Sequence, residues 1–148
     1  MFADRLNVNV YRGLGDLPMF NPELDTDEPP PAVSHFRKSI READGVLICT
    51  PEYVFSIPGA LKSALEWTVS SSDFAGKPTA LITASSSGEK GHESLTLVLK
   101  TIEASIGEDT TVLIRVPKAK IAADGSITDQ STYDSITSVM EALIGAIE

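Results

Sequence analysis

Apolar and polar positions along this chain fall into distinct rhythms. From Leu6 to Arg12 they alternate (Leu-Asn-Val-Asn-Val-Tyr-Arg), a period of two that predicts a strand with one wetter face, as at a sheet edge. The later runs Val46–Thr50, Thr79–Ala84 and Thr111–Val116 are short and nearly continuously apolar. Such runs predict strands covered by helices on both faces. Between them the period moves to about 3.6. Val33, Phe36, Ile40 and Ala43 mark one helix, with Gly45 as its stop. Leu61, Leu65 and Val69, widened by Ala64 and Trp67, mark a second that carries Pro58 in its first turn. Leu95, Val98, Leu99, Ile102 and Ile106 mark a third, and Tyr133, Ile136, Met140, Leu143, Ile144 and Ile147 the last. The proline-rich connection from Leu17 to Pro31 reads as a stiff surface loop. The order β-loop-α-β-α-β-α-β-α predicts an α/β fold with a parallel sheet and right-handed crossovers.

Composition narrows the partners. The 148 residues, 42% of them apolar, fit one domain spanning 1–148 with a substantial core. Twelve Lys and Arg against twenty-one Asp and Glu leave a net charge of -9. That field repels phosphate backbones and acidic lipid, so neither a nucleic-acid nor a membrane partner is expected. An anionic ligand must be held by local backbone N–H groups and helix ends. A single cysteine, Cys49, leaves no disulfide framework and no multi-cysteine zinc site. No apolar run reaches the ~20 residues that span a bilayer, and no signal-peptide pattern opens the chain, so the expected location is cytoplasmic.

In open parallel sheets, ligands bind at the carboxyl ends of the strands, and two loops stand there. Pro51-Glu52-Tyr53-Val54-Phe55-Ser56-Ile57-Pro58-Gly59 combines prolines, aromatics and a carboxylate ahead of a helix start. Its aromatics either roof the core or offer a flat face to a planar ligand. Ser85-Ser86-Ser87-Gly88-Glu89-Lys90-Gly91-His92 is either an ordinary capped turn or a set of backbone donors aimed at an anion or carbonyl. It is not GxxxxGK[ST], and neither loop contains G-x-S-x-G.

The remaining residues carry weaker signals. His35 is expected on a solvated helix face beside Arg37 and Lys38, and Glu23 to Glu28 in a solvated loop. Cys49 inside an apolar strand is expected to be a buried, inert thiol. His92 is a possible base for a nearby serine, with no orienting group visible. Two separated histidines make no metal site, and no catalytic side chain is assigned. The lack of paired acid and base groups favours a reaction carried by a bound cofactor.

The run Ala43-Asp44-Gly45-Val46-Leu47-Ile48-Cys49-Thr50-Pro51-Glu52-Tyr53, continuing Ser56-Ile57-Pro58-Gly59-Ala60-Leu61-Lys62-Ser63-Ala64-Leu65-Glu66-Trp67, resembles the NAD(P)H-dependent FMN reductase family. That family is flavodoxin-like, a three-layer α/β/α fold, and includes quinone, azo-dye and chromate reductases. Gly15 to Asp25, Gly76-Lys77-Pro78 and the serine-glycine loop follow the same order. The resemblance implies FMN as cofactor, NAD(P)H as co-substrate and a small quinone-like electron acceptor. It places Pro51, Glu52, Tyr53 and Val54 along one side of the isoalloxazine ring, and Ser85, Ser86, Ser87, Gly88 and Gly91 along its other edge. It also implies a homodimer or homotetramer with the flavin near the subunit interface.

The chain departs from the family pattern at Val54, where asparagine is common, and at Gly91-His92, where a glycine pair is common. The family's first strand and its G-S-x-R-x-x-S-x-N phosphate loop have no counterpart here, so the chain is expected to be N-terminally truncated relative to the family. These departures motivate an alternative, a non-catalytic homologue acting as a binding or oligomerisation module.

Overall fold

The computed structural model describes residue 2 and residues 4–148; Met1 and Ala3, part of the expected 1–148 span, lie outside the described residues. Helices α1 (Pro31–Glu42), α2 (Gly59–Glu66), α3 (Glu89–Thr101) and α4 (Gln130–Ile147) alternate with strands β1 (Val46–Thr50), β2 (Thr79–Ser85) and β3 (Thr111–Arg115). The strands form one parallel sheet in the order β1-β2-β3, with Val46 opposite Thr79 and Leu81 opposite Thr111. Pro31 opens α1, where its missing N–H costs nothing. The Asp129 carboxylate caps α4 by accepting the Thr132 N–H at 2.9 Å.

Strand parity decides which side chain joins which layer. Leu81 of β2 packs with Phe36 and Ile40 of α1, Leu65 of α2, and Leu95 and Leu99 of α3. On the opposite face Ala80 and Ile82 of β2 and Ile114 of β3 meet Val139, Met140 and Leu143 of α4. The result is a flavodoxin-like α/β/α arrangement in which β2 is the covered, central strand.

The N-terminal expectation is corrected. Residues 6–13 form no strand, so the sheet has three strands among the described residues where the pattern predicted four. Val8 and Val10 are 68% and 61% exposed, and no ladder pairs their backbone. Alternation supplies β propensity, but a strand needs a neighbour for its N–H and C=O groups, and this segment has none. Leu6 packs at the edge of the Ala80–Ile82 cluster, and Tyr11 docks on the other side, its ring 5.1 Å from that of Phe36.

Cys49 is also corrected, from buried to exposed. It shares the α4-side face of β1 with Leu47, itself 41% exposed, because α4 lies over β2 and β3 and leaves the β1 column open. Loss of water around the sulfur still pushes the thiol pKa up. The solvated-loop reading of 23–28 and the solvated face around Arg37 fail at one point. Arg37 is buried, donates through Nε to the Trp67 carbonyl at 2.7 Å, and pairs through Nη2 with Asp25 at 2.6 Å. The proline-rich connection is thereby sewn to the core, with Trp67 Nε1 donating to the Pro18 carbonyl at 2.8 Å. The second and third helices end earlier than their stripes, at Glu66 and Thr101. Val69 is exposed, while Ile102 and Ile106 still pack on the core from beyond the helix end.

Candidate functional site

Two loops meet at the carboxyl ends of β1 and β2. After Thr50 the chain runs through Pro51 and Glu52 into a tight reversal at Tyr53–Ser56. The Tyr53 N–H donates to the Ser56 carbonyl at 2.9 Å, and the Ser56 N–H returns to the Tyr53 carbonyl at 3.0 Å. Val54 and Phe55 carry φ values of 52° and 53°, the paired positive angles of a type I′ turn. Neither is glycine, and a left-handed backbone at such residues costs roughly 1–3 kcal/mol each. The turn throws Tyr53, Val54 and Phe55 outward, Val54 at 96% exposure. Ile57 on the returning arm is buried, and Pro58 precedes α2.

The β2 loop is built for close approach. Gly88 sits at φ 91° ahead of α3, and a Cβ there would lie 2.5 Å from Leu113 Cδ1. Gly91 in the first turn of α3 is buried, and its Cβ would lie 3.1 Å from both the Glu52 Cβ and the Ser56 carbonyl oxygen. Gly91 lets the β1 loop nest against the start of α3, while Gly88 lets the loop after β2 pass close to Leu113 of β3. Glu52 closes the contact: one carboxylate oxygen accepts the Gly88 N–H at 3.2 Å and the other the Gly91 N–H at 2.8 Å. Ser86 and Ser87 stand exposed on the adjoining rim, whereas Ser85 is half-buried at the strand end.

The charges around this shelf are paired locally. Glu89 meets Arg115 at 2.7 Å, and Lys90 meets Glu93 at 2.8 Å. The Glu89 carboxyl is held below the usual carboxylate range by its own backbone N–H first and by Arg115 next. His92 turns back onto β2, its Nδ1 lying 2.9 Å from the Thr83 hydroxyl. Burial pushes the His92 pKa down, against a smaller upward pull from Glu93, which favours the neutral ring. Its hydrogen-bond partner is thus Thr83 and not a serine of the loop.

Of the residues singled out in the sequence, Glu52, Gly88 and Gly91 are in direct contact. Pro51, Tyr53 and Val54 continue from one side, and Ser85, Ser86 and Ser87 from the other. Sequence reasoning passed over Ser56, whose carbonyl closes the turn, and Thr83, which orients His92. Thr83 had a usable signal: it shares the parity of Leu81 in a run whose apolar pattern predicts cover on both faces.

The sequence model of the NADPH-dependent FMN reductase family matches residues 2–115. This chain belongs to that family. It is 32% identical to the quinone reductase of Escherichia coli (strain K12), covering 93% of this chain and 77% of that one. It is likewise 32% identical to subunit 2 of the NADH-dependent flavin reductase of Lactobacillus johnsonii, covering 99% of this chain and 84% of the relative. Among solved structures it is similar to FerB, a flavoenzyme NAD(P)H:(acceptor) oxidoreductase from Paracoccus denitrificans. That match has a TM-score of 0.71 and 30% identity, over 90% of this chain and 76% of the other. An oxidoreductase from Corynebacterium diphtheriae shares the fold at TM-score 0.65 and 15% identity, over 82% of this chain and 65% of the other. Within the family the two departures have plain local places. Val54 stands in solvent at the turn apex, and His92 is folded back onto β2.

Proposed function

We propose that this chain is an NAD(P)H-dependent, FMN-using oxidoreductase that passes electrons to a small quinone-like acceptor. The observation carrying the reading is the pinning of the β1 and β2 tip loops into one shelf by Glu52, in a chain of the FMN reductase family. The shelf fits a flat ring. It is rimmed by small residues and exposed hydroxyls and flanked by exposed Tyr53, and the basic residues beside it, Lys90 and Arg115, are paired with Glu93 and Glu89. Pro51, Glu52, Tyr53 and Val54 on one side, with Ser85, Ser86, Ser87, Gly88 and Gly91 on the other, would hold the isoalloxazine ring. When bound, FMN supplies hydride acceptance from the nicotinamide and electron donation to the acceptor. The chain's own part is to orient the ring and to exclude water beneath it with Ile57 and the buried Gly91.

The finer statements belong to the same proposal: one domain over residues 1–148, a cytoplasmic setting and a homodimer or homotetramer. The exposed Tyr53–Phe55 tip and the open edge of β1 support association of copies. No helix among the described residues is long and apolar enough to cross a membrane.

The test is to incubate the purified chain with FMN, remove free flavin, and follow flavin absorbance near 450 nm and quinone-dependent NAD(P)H oxidation. Retained flavin with steady turnover is the expected result. Retained flavin without turnover would support the binding-module alternative, and no retained flavin would overturn the proposal.

A further inference from the structure

We propose that Glu52 is a positioning residue that clamps the β1 tip loop onto the first turn of α3 and thereby fills the end of that helix where an anion would otherwise bind. The proposal rests on the shelf being the flavin-ring site. Its ground is geometry. Both carboxylate oxygens of Glu52 are engaged by backbone donors, at 3.2 Å from Gly88 and 2.8 Å from Gly91. Those donors belong to the residue preceding α3 and to its first turn, the N–H groups a helix leaves unpaired. A carboxylate there gains from charge-assisted hydrogen bonds and from the positive end of the helix dipole. Gly91 makes the fit possible, since a Cβ there would press on Glu52 itself.

Two consequences follow. The Glu52 carboxylate is a strut under the shelf, each oxygen taken by a backbone donor, so Glu52 serves the ring site through its backbone and not through its carboxylate. The α3 terminus, the apparent anion site in the serine-glycine loop, is closed to phosphate, so any phosphate of a nucleotide ligand has to be held elsewhere. The strain at Val54 and Phe55 fits this role. A loop that tolerates two left-handed non-glycine residues is held by its surroundings, and the Glu52 clamp is two residues away from the first of them.

The test compares the native chain with Glu52→Gln and Gly91→Ala. The glutamine side chain keeps the shape but turns one acceptor into a donor facing an N–H. The alanine keeps the carboxylate but wedges the two loops apart. Far-UV circular dichroism and thermal melting confirm folding. Hydrogen exchange of the Gly88 amide and of the amide at position 91, read by 15N–1H NMR without flavin, reports the clamp directly. FMN affinity is measured by fluorescence titration, and inorganic phosphate is titrated against the same amides.

Both variants should fold, the two amides should exchange at least about tenfold faster, and FMN affinity should fall about ten- to hundredfold. Millimolar phosphate should leave the native amides unmoved. Unchanged amide exchange in both variants, unchanged FMN affinity despite opened amides, or phosphate-induced shifts in the native chain would each overturn the proposal. If the native chain binds no FMN, the ring-site reading fails; the amide data then still decide whether the clamp exists. Should Glu52→Gln not fold, Gly91→Ala carries the same comparison.

Discussion

The two faces of β1 have opposite fates. Toward α1, α2 and α3, Val46 and Ile48 pack against a closed cluster centred on Leu81, Leu95 and Leu99. Toward α4, Leu47 and Cys49 of the same strand look into solvent, because the helix that covers that layer lies over β2 and β3 and meets the β1 side only at its end, where Ile147 lies against Gly45. Residues of similar hydrophobicity, one position apart, thus differ in burial for a reason that lies outside their own strand. A continuous apolar run reports that a strand can be covered on both faces. Whether it is covered depends on how many helices lie over each layer.

Breaking the closed side should have the largest effect. Arg37→Leu removes the cation from a buried pair, leaving the Trp67 carbonyl without this donor and Asp25 with Ser70 alone. A loss of about 3–5 kcal/mol in denaturant unfolding is expected. Leu81→Ala, at a fully buried position, should cost about 2–5 kcal/mol, whereas Leu47→Ala on the open face should cost under about 1 kcal/mol. Equal losses at Leu81 and Leu47 would show that the α4-side column of β1 is covered in solution. Cys49→Ser should change stability by no more than about 0.5 kcal/mol. The native thiol should label with iodoacetamide without unfolding, and faster as pH rises toward its raised pKa.

A subtler contrast is in pH dependence. His92 has a folded pKa below its unfolded value of about 6.5, so the unfolded chain binds the extra proton first. Its contribution is therefore fully present above about pH 6.5 and is lost as pH falls through the lower folded value. Asp25 follows the same sign at more acid pH. Burial raises its pKa, but hydrogen bonds from Arg37 and Ser70 and the Arg37 charge outweigh that and hold it low. Thermal melting should accordingly drop in two stages on acidification, the first absent in His92→Gln and the second reduced in Asp25→Asn, where Glu89, Asp124 and Asp129 still contribute. A single stage unaffected by either change would count against both assignments.

Much of the fold was legible because periodicity reports burial. The 3.6-residue stripes of α1 and α4 and the apolar runs of β2 and β3 appear where their patterns put them, within a few residues. The misreadings share a cause. Leu6–Arg12 has the alternation of a strand but no partner, Cys49 has apolar neighbours but no helix above it, and Arg37 looks solvated until Asp25 folds back from a distant loop. Each depends on a contact between segments far apart in sequence, which local pattern does not encode. The site was legible as two post-strand loops, but the carboxylate joining them was not. Nothing in the spacing of Glu52, Gly88 and Gly91 shows that one side chain spans both donors.

The most direct measurement is hydrogen–deuterium exchange of the chain with and without FMN. FMN should slow exchange at residues 52–56 and 85–92 together, with the β1 edge at 46–49 unchanged. Slowing confined to another region, or none at saturating FMN, would contradict the ring-site reading.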